Sequence, residues 1–378
     1  MRYTLRMNKT LTRTICCKLD VDGHDAVLAA TQRAFNEAAS WIARMCWDEG
    51  ITNTNTAHHR VYGETRQRFG LGAQLACCAR AKAIEAIKAT KAKKRDTCPQ
   101  FGSRGSIRYD ARTYRLMSLD RVSLNTLDSR VVCRLLLGAR QHEMLVDPEW
   151  KIGGADLVWQ RGVYSLHIAQ SREALPDQEP DGGTLGVDLG IVNLATDSEG
   201  ETFSGAMIHV VRSRYHLRRQ RLQKVGTKNA KRRLRQNAGK ERRFQKDVNH
   251  CISKVLVKKA VVSRKALALE DLSGIRERVT VRREHRYERH AWAFYQLRQY
   301  ITYKAAWLGV PVHLVDPRNT SRTCSTCGHC EKANRLSQAV FLCQRCGFTA
   351  HADYNAAINI SKKQWAVVNQ PMASSLAG

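Results

Sequence analysis

The amino-acid sequence predicts a two-lobed chain: a β-rich first half interrupted by helices, and an α/β second half that carries a small cysteine module. Three observations predict this. Apolar residues recur at three- and four-residue spacing from about Asp25 to Ala92, whereas the period moves towards two between Ile107 and Ala169. A run containing Pro176, Pro180, Asp181, Gly182 and Gly183 breaks both patterns, as a linker does. Beyond it, short apolar segments alternate with long helical ones until two Cys-x-x-Cys pairs appear. At 378 residues, two or three domains are expected.

Residues 1–20 alternate weakly and read as one or two strands. The helical pattern then places Val27, Leu28, Ala34, Phe35, Ala38, Trp41, Ile42 and Met45 on one face. Leu75 to Ala92 repeats it, with Lys82, Lys88, Lys91, Lys93 and Lys94 expected on or beyond the exposed face. Strands are expected within 121–125, 130–137 and 156–170, forming a barrel that the N-terminal strands complete. After the linker, 184–196 reads as strand–turn–strand, with Ser198-Glu199-Gly200 as a turn. Two long basic helices over about 210–225 and 229–263 are joined around Val225-Gly226-Thr227. A strand over 265–270, a charged segment over 273–289, a helix over about 290–308 and a strand over 310–315 come next. A helix starting near Asp353 closes the pattern, and 367–378 reads as an unstructured tail.

The chain has 63 Lys plus Arg against 34 Asp plus Glu, a formal net charge of +29. Such an excess speaks to partners, and polyanions lead. Met1 to Thr14 lacks the apolar core of a secretion signal, and no segment nears the roughly 18 uncharged apolar residues of a membrane span. An intracellular protein without membrane contact is expected. In that setting its thirteen cysteines read as reduced thiols and metal ligands rather than a disulfide framework. Cys16, Cys17, Cys46, Cys77, Cys78, Cys98, Cys133 and Cys251 show no ligand spacing and are expected to be small core residues.

In Cys324-Ser-Thr-Cys327-Gly and Cys343-Gln-Arg-Cys346-Gly, fifteen residues lie between Cys327 and Cys343. Paired knuckles at this distance build a tetrahedral four-sulfur site, and the glycine after each pair permits the tight turn. Redox-active pairs are the rival, and two pairs with matched glycines argue against it. A closed four-sulfur shell leaves no open position, so one structural zinc ion is expected. His329 and Cys330 are near enough to substitute as ligands and are expected not to.

Three carboxylates, Asp188, Glu270 and Asp353, each stand at or near the end of an apolar segment. Singly, each has a bland reading: a turn residue, a strand-end charge, a helix N-cap. Asp271 is the alternative to Glu270, and in an alternating strand only one of the two can face a site. Buried alone such groups are costly, but together they can hold Mg²⁺. Strands before helices, with carboxylates from two strands and a final helix, match an RNase H-like α/β fold. Two ions roughly 3.5–4 Å apart would serve phosphodiester hydrolysis, one activating water and one stabilising the leaving oxygen.

Between Arg212 and Lys246 the basic residues include Arg214, Arg218, Arg219, Arg221, Lys224, Lys228, Lys231, Arg232, Arg233, Arg235, Lys240, Arg242 and Arg243, with Glu241 the sole acid. Like charges one turn apart destabilise a helix unless an anion compensates, and phosphate backbone is the natural one. Arg276, Arg278, Arg282, Arg283, Arg286 and Arg289 form a second cluster, mixed with Glu277, Glu284 and Glu288, that suits a mobile lid. Trp292, Tyr295, Tyr300, Tyr303 and Trp307 could stack on bases, but helical spacing favours packing for most of them.

Taken together, Gly186-Val187-Asp188-Leu189-Gly190, Leu269-Glu270-Asp271-Leu272, 303–309, Asn319-Thr320-Ser321 and the terminal His351-x-Asp353-x-Asn355-Ala356-Ala357 resemble the TnpB nucleases of bacterial transposons, relatives of type V CRISPR effectors. The resemblance covers about half the chain, from Thr184 to Ile360. It implies that Asp188, Glu270 and Asp353 are a RuvC catalytic triad and that the four cysteines form a zinc ribbon. It further implies a wedge barrel in two parts (1–21 and 104–180), a helical recognition insert (22–103), a RuvC nuclease (181–320), the ribbon (321–350), a final RuvC helix (351–366) and a disordered tail (367–378). The implied activity is RNA-guided cutting of double-stranded DNA beside a short motif, with a guide RNA from the transposon end, in the bacterial cytoplasm at the nucleoid. A nuclease-inactive RNA-guided repressor, a CRISPR-associated effector and a guide-free nuclease like the junction resolvases are the alternatives.

Overall fold

The computed structural model describes residues 10–190, 192–271 and 294–368. The chain divides into two compact units, Met1–Glu173 and Ala174–Gly378, and the break falls at the start of the Pro- and Gly-containing run.

In the first unit, β1 (Thr10–Asp20) leads into three helices, α1 (Asp25–Asp48), α2 (Thr54–Phe69) and α3 (Ala73–Ala92). Then follow β2 (Ile107–Tyr109), β3 (Tyr114–Leu116), β4 (Arg121–Asn125), β5 (Arg130–Leu136), α4 (Ala139–Val146), β6 (Lys151–Gln160) and β7 (Val163–Glu173). All seven strands join one antiparallel sheet in the order β2-β6-β7-β1-β5-β4-β3. Its two edge strands are consecutive in the chain, separated only by the turn from Asp110 to Thr113. Laid flat, seven strands would put those edges about 29 Å apart, whereas the connecting segment reaches at most about 18 Å. The sheet is therefore curled into a half-barrel. The Tyr114 hydroxyl, donating to the Gly153 carbonyl at 2.5 Å, ties one edge strand towards β6. Among the described residues no ladder joins β2 to β3, so the predicted barrel is present as a curled, open sheet.

Alternation on β1 buries Ile15, Cys17 and Leu19, which share one core with Val131, Cys133 and Leu135 of β5 and with Leu28, Phe35 and Ile42 of α1. The same alternation turns Cys16 outward, and Cys251 is exposed on a helix of the second unit, so these two cysteines are not core residues as expected. Lys82 departs from expectation in the other direction. It turns inward, donating to Asn36 Oδ1 (2.8 Å) and the Ser106 carbonyl (2.6 Å) above the Phe101 ring, and burial pushes its pKa down to about 8. The short α4 buries only Leu145, too little apolar periodicity to read in advance.

In the second unit, β8 (Thr184–Asp188), β9 (Asn193–Asp197) and β10 (Thr202–Ser204) form an antiparallel meander. The long helices α5 (Ala206–Val225) and α6 (Lys228–Val262) follow, joined through Gly226 at φ 67°, where the left-handed backbone favours glycine. Then come β11 (Ala266–Glu270), α7 (Phe294–Trp307), β12 (Val312–Val315), the cysteine module with β13 (Val340–Leu342) and β14 (Thr349–His351), and α8 (Ala352–Val368). The last helix runs to Val368, two residues into the segment expected to be a tail; 369–378 lie outside the described residues. The sheet order is β10-β9-β8-β11-β12, with β11 parallel to both its neighbours.

Residue parity assigns the two faces of this sheet. Leu185, Val187, Leu267 and Leu269 pack against Ile252, Leu256, Val257 and Ala260 of α6 and Leu297, Ile301 and Ala305 of α7. The even-numbered residues face α8: Ala268 packs with Ile360, and a Cβ on Gly186 would lie 2.1 Å from the Ala357 carbonyl oxygen. Gly186 is thus required by the close approach of a helix backbone to the strand. Among the described residues no helix is long and apolar enough to cross a membrane.

Candidate active site

The same parity puts Asp188 and Glu270 on the α8 face. Leu269 pairs with Val187, so one step further the two carboxylates come level at the C-terminal ends of adjacent parallel strands. Asp353 lies in the first turn of α8, which packs on this face. Asp188 feels the other two: burial, then the charges of Glu270 and Asp353, hold its carboxyl well above the usual carboxylate range. Burial also raises Glu270, which is 8% exposed, against the opposing pull of Thr320, Lys363 and Arg335. Asp271 turns away and pairs with Arg298 of α7 at 2.8 Å, so of the two neighbours Glu270 is the one on the face of Asp188.

Each carboxylate has its own holder. The Thr320 hydroxyl donates to Glu270 Oε1 at 2.5 Å, and Asn193 Nδ2 donates to Asp353 Oδ2 at 2.9 Å. The Leu189 amide serves Asp188. Among the described residues no Lys or Arg forms an ion pair with any of the three, although the His351 ring approaches Asp353 at 3.9 Å. Arg335, from the cysteine module, acts on Asp188 and Glu270 through its field alone. Thr320, Asn193 and Arg335 were not singled out from the sequence. Only Thr320 lay inside a motif that could have drawn attention to it.

Three carboxylates crowded without a cation are a donor set for hard, oxygen-loving ions. Their oxygens are spread more widely than the sulfurs of the cysteine module. Cys324, Cys327, Cys343 and Cys346 bring four sulfurs within 4.8 Å of one another, and no other such group of three or more metal-binding side chains is found among the described residues. The two knuckles are copies of one turn: Gly328 and Gly347 have φ of 74° and 72° and donate to the carbonyls of Cys324 and Cys343, both at 3.0 Å. Burial opposes ionisation of Cys343, but the amides of Cys346 and Arg345 and the adjacent thiols outweigh it and bring its pKa to about 6. Cys346 is aided by the Phe348 amide, yet the three neighbouring thiols push it up to about 12. Four thiolates at such spacing need a cation, and the set can hold one metal ion. His329 instead contacts Glu331, and Cys330 is exposed.

On α5 and α6, Arg218, Arg221, Lys224, Lys228, Lys231, Arg232, Arg233, Arg235, Arg242 and Arg243 are exposed. Arg219 differs from them because Glu241 pairs with it. Arg212, counted in the same run, is buried. Tyr300, Tyr303 and Trp307 are half-buried in a ring cluster with His250, so packing accounts for them. The Arg-rich segment 276–289 and Trp292 lie outside the described residues.

Residues 294–360 match the family model described as Cas12f1-like, TNB domain. A Cas12f1 CRISPR-associated endodeoxyribonuclease of Sulfoacidibacillus thermotolerans is 40% identical over 119 residues, 31% of this chain and 27% of the relative. A TnpB-like protein of Methanocaldococcus jannaschii is 35% identical over 127 residues, 33% of this chain and 45% of the relative. InsQ of Escherichia coli, named for RNA-guided DNA endonuclease activity, is 31% identical over 223 residues, 53% of each chain. Over its second half the chain is thus similar in sequence to TnpB and Cas12f proteins. The matches span about a quarter to a half of these relatives' own lengths. Among solved structures, the fold is similar to that of Cas12f1 in a Cas12f1–sgRNA–target DNA complex, with a TM-score of 0.68 at 15% identity over 93% of this chain and 99% of that one. It is also similar to the mini-RNA-guided endonuclease CRISPR-Cas phi3, with a TM-score of 0.56 at 11% identity over 96% and 93% of the two chains. These two effectors thus share their fold with this chain.

Proposed function

We propose that the chain is an RNA-guided DNA endonuclease that hydrolyses phosphodiester bonds at the Asp188, Glu270 and Asp353 site. The observation that carries the reading is the convergence of three carboxylates, with no Lys or Arg ion pair among the described residues, at the ends of two parallel strands and the start of one helix. The meander followed by parallel β11 and β12 supports an RNase H-like RuvC fold for this unit, with the half-barrel as wedge and α1–α3 as recognition insert. Asp188, Glu270 and Asp353 would hold two Mg²⁺ ions, which when bound activate water and neutralise charge on the phosphodiester. Thr320 and Asn193 orient two of the three ligands. Arg335 adds a positive field where a scissile phosphate would sit, stabilising charge that grows in the transition state. Cys324, Cys327, Cys343 and Cys346 would hold one structural zinc. The exposed Lys and Arg of α5 and α6 would follow the A-form backbone of a guide RNA–DNA duplex, so base pairing supplies the specificity. Such partners place the protein in the cytoplasm, on the nucleoid.

The test is cleavage of a plasmid carrying the target by the protein and its copurified RNA, after that RNA has been sequenced. Cutting that requires both the RNA and Mg²⁺ supports the reading. Cutting that survives complete RNA removal points to a guide-free nuclease, and guide-dependent binding without cutting points to a repressor. The 40% identity to a Cas12f1 relative favours a second reading, a CRISPR-associated effector of the same architecture. A repeat array in the genomic neighbourhood, rather than a transposon end, would select it.

A further inference from the structure

A chain of side-chain contacts runs from the cysteine module to the acidic site, and it converges on Thr320. On one face of α8, Asn355, Asn359 and Lys362 grip the loop that enters the first knuckle. Asn355 accepts from the Ser325 amide (2.9 Å) and donates to the Thr323 carbonyl (2.8 Å). Asn359 Nδ2 donates to the carbonyls of Thr320 (2.8 Å) and Thr323 (2.7 Å), and Lys362 donates to that of Ser325. Thr323 and Ser325 flank Cys324. Asn355, Asn359 and Thr320 are 0%, 6% and 3% exposed, so these contacts are protected from water and are worth correspondingly more.

From this loop, Thr320 reaches across to β11. Its hydroxyl has a single proton and two acceptors, Glu270 Oε1 at 2.5 Å and the Pro317 carbonyl at 3.0 Å. An ionised carboxylate is the stronger acceptor, and 2.5 Å is the length of a charge-assisted bond. The backbone beneath it is fixed as well: Asn319 takes φ 61°, and its carbonyl accepts from the Arg322 and Thr323 amides, both at 3.0 Å. A glutamate has three side-chain torsions. Without this bond, Glu270 would sample orientations that withdraw an oxygen from its neighbours.

We propose that Thr320 is a positioning residue: its hydroxyl fixes the Glu270 carboxylate for cation binding, and the cysteine module, clamped by Asn359, holds Thr320 in place. The inference rests on the proposed metal-binding role of Asp188, Glu270 and Asp353. It gives the cysteine module a second task besides folding itself, since anything that loosens the knuckle loop loosens one ligand of the acidic site.

The test is calorimetric titration of the full chain, bound to its copurified RNA, with Mn²⁺. Parent, Asp188→Ala, Thr320→Val, Thr320→Ser and Asn359→Ala are compared, with zinc content and melting temperature measured on each. Thr320→Val keeps the shape and removes the hydroxyl. It should weaken Mn²⁺ binding about tenfold, the usual scale for a residue that orients a ligand, with target-DNA affinity and zinc content unchanged. Thr320→Ser restores the hydroxyl and should recover to within about threefold of the parent. Asn359→Ala should fall between them, and it carries the test if Thr320→Val loses its zinc. Parental Mn²⁺ affinity in both Thr320→Val and Asn359→Ala, or a serine variant no better than the valine, would overturn the proposal. If Asp188→Ala itself binds like the parent, the metal-site reading falls and takes this inference with it. If only Asp188→Ala loses binding, the reading stands and the positioning role is wrong.

Discussion

Asp188 and Asp197 are aspartates on adjacent strands of one sheet, and they are treated in opposite ways. Asp197, 0% exposed, is held by Lys259 Nζ at 2.5 Å and by the amides of Glu199 (3.0 Å) and Glu201 (2.9 Å). Lys259 in turn serves Asp197, Glu199 and Glu201, which raise its pKa against the lowering effect of burial. The corner answers its buried aspartate with a lysine and ties the end of β9 to α6. Asp188 has one backbone amide and the field of Arg335, and burial and its two carboxylate neighbours outweigh both. Among the described residues a lysine answers Asp197 and none pairs with Asp188, which suits the second to a cation from outside the chain. The comparison separates burial that holds the fold together from burial that keeps a site ready for a cation.

The largest effect that bears on this difference is on cutting. Asp188→Asn should reduce Mg²⁺-dependent plasmid cleavage by about 10³-fold or more, since a ligand's share of transition-state charge stabilisation is several kcal/mol. Guide-RNA binding, read by filter retention, should be unchanged. Without divalent ions the same variant should melt no lower than the parent. The sign follows from the raised carboxyl: a group held above its unfolded pKa favours the fold while protonated, and that contribution is lost as pH rises through the folded value. The metal-free parent should therefore lose stability with rising pH in a way that Asp188→Asn does not, and added Mg²⁺ should close the gap. Lys259→Met should do the reverse. Breaking the pair leaves Asp197 uncompensated and should cost about 3 kcal/mol in chemical denaturation, while the cation affinity of the acidic site stays within about twofold of the parent. Asn193→Ala, which frees Asp353, should weaken Mn²⁺ binding about tenfold with little change in melting temperature. The smallest effect lies on the basic helices. Replacing Lys231, Arg232 and Arg235 with alanine should lower the slope of log affinity for nucleic acid against log salt by up to about three, and leave the acidic site untouched.

How much of this could be read in advance depended on how local the signal was. The cysteine module was legible because its four ligands lie in two short spacings and a glycine follows each pair. The helices α1, α3, α5 and α6 were legible from long apolar or basic periodicity, and β11 from a short apolar run ending in acid. The three carboxylates could be named, but only topology brings them together: parity on β8 and β11 chooses the face, and Gly186 lets α8 close over it. Residues that act across the fold left a weaker trace. Asn193 looks like a turn residue, Arg335 like one more cation in a basic chain, and Thr320 like a loop hydroxyl. Lys82 was misread because a lysine on a helix next to other lysines looks solvated, and only Asn36, Ser106 and the Phe101 ring reveal that it turns inward. Cys16 was misread because composition cannot tell the two faces of a strand apart.

The most direct test is anomalous diffraction from crystals of the RNA-bound protein grown with Mn²⁺. Two manganese peaks about 3.5–4 Å apart, each touching oxygens of Asp188, Glu270 or Asp353, with a separate zinc peak among the four cysteine sulfurs, are the expected result. Zinc at the sulfurs with no manganese at the carboxylates, and the acidic side chains directed elsewhere, would contradict it.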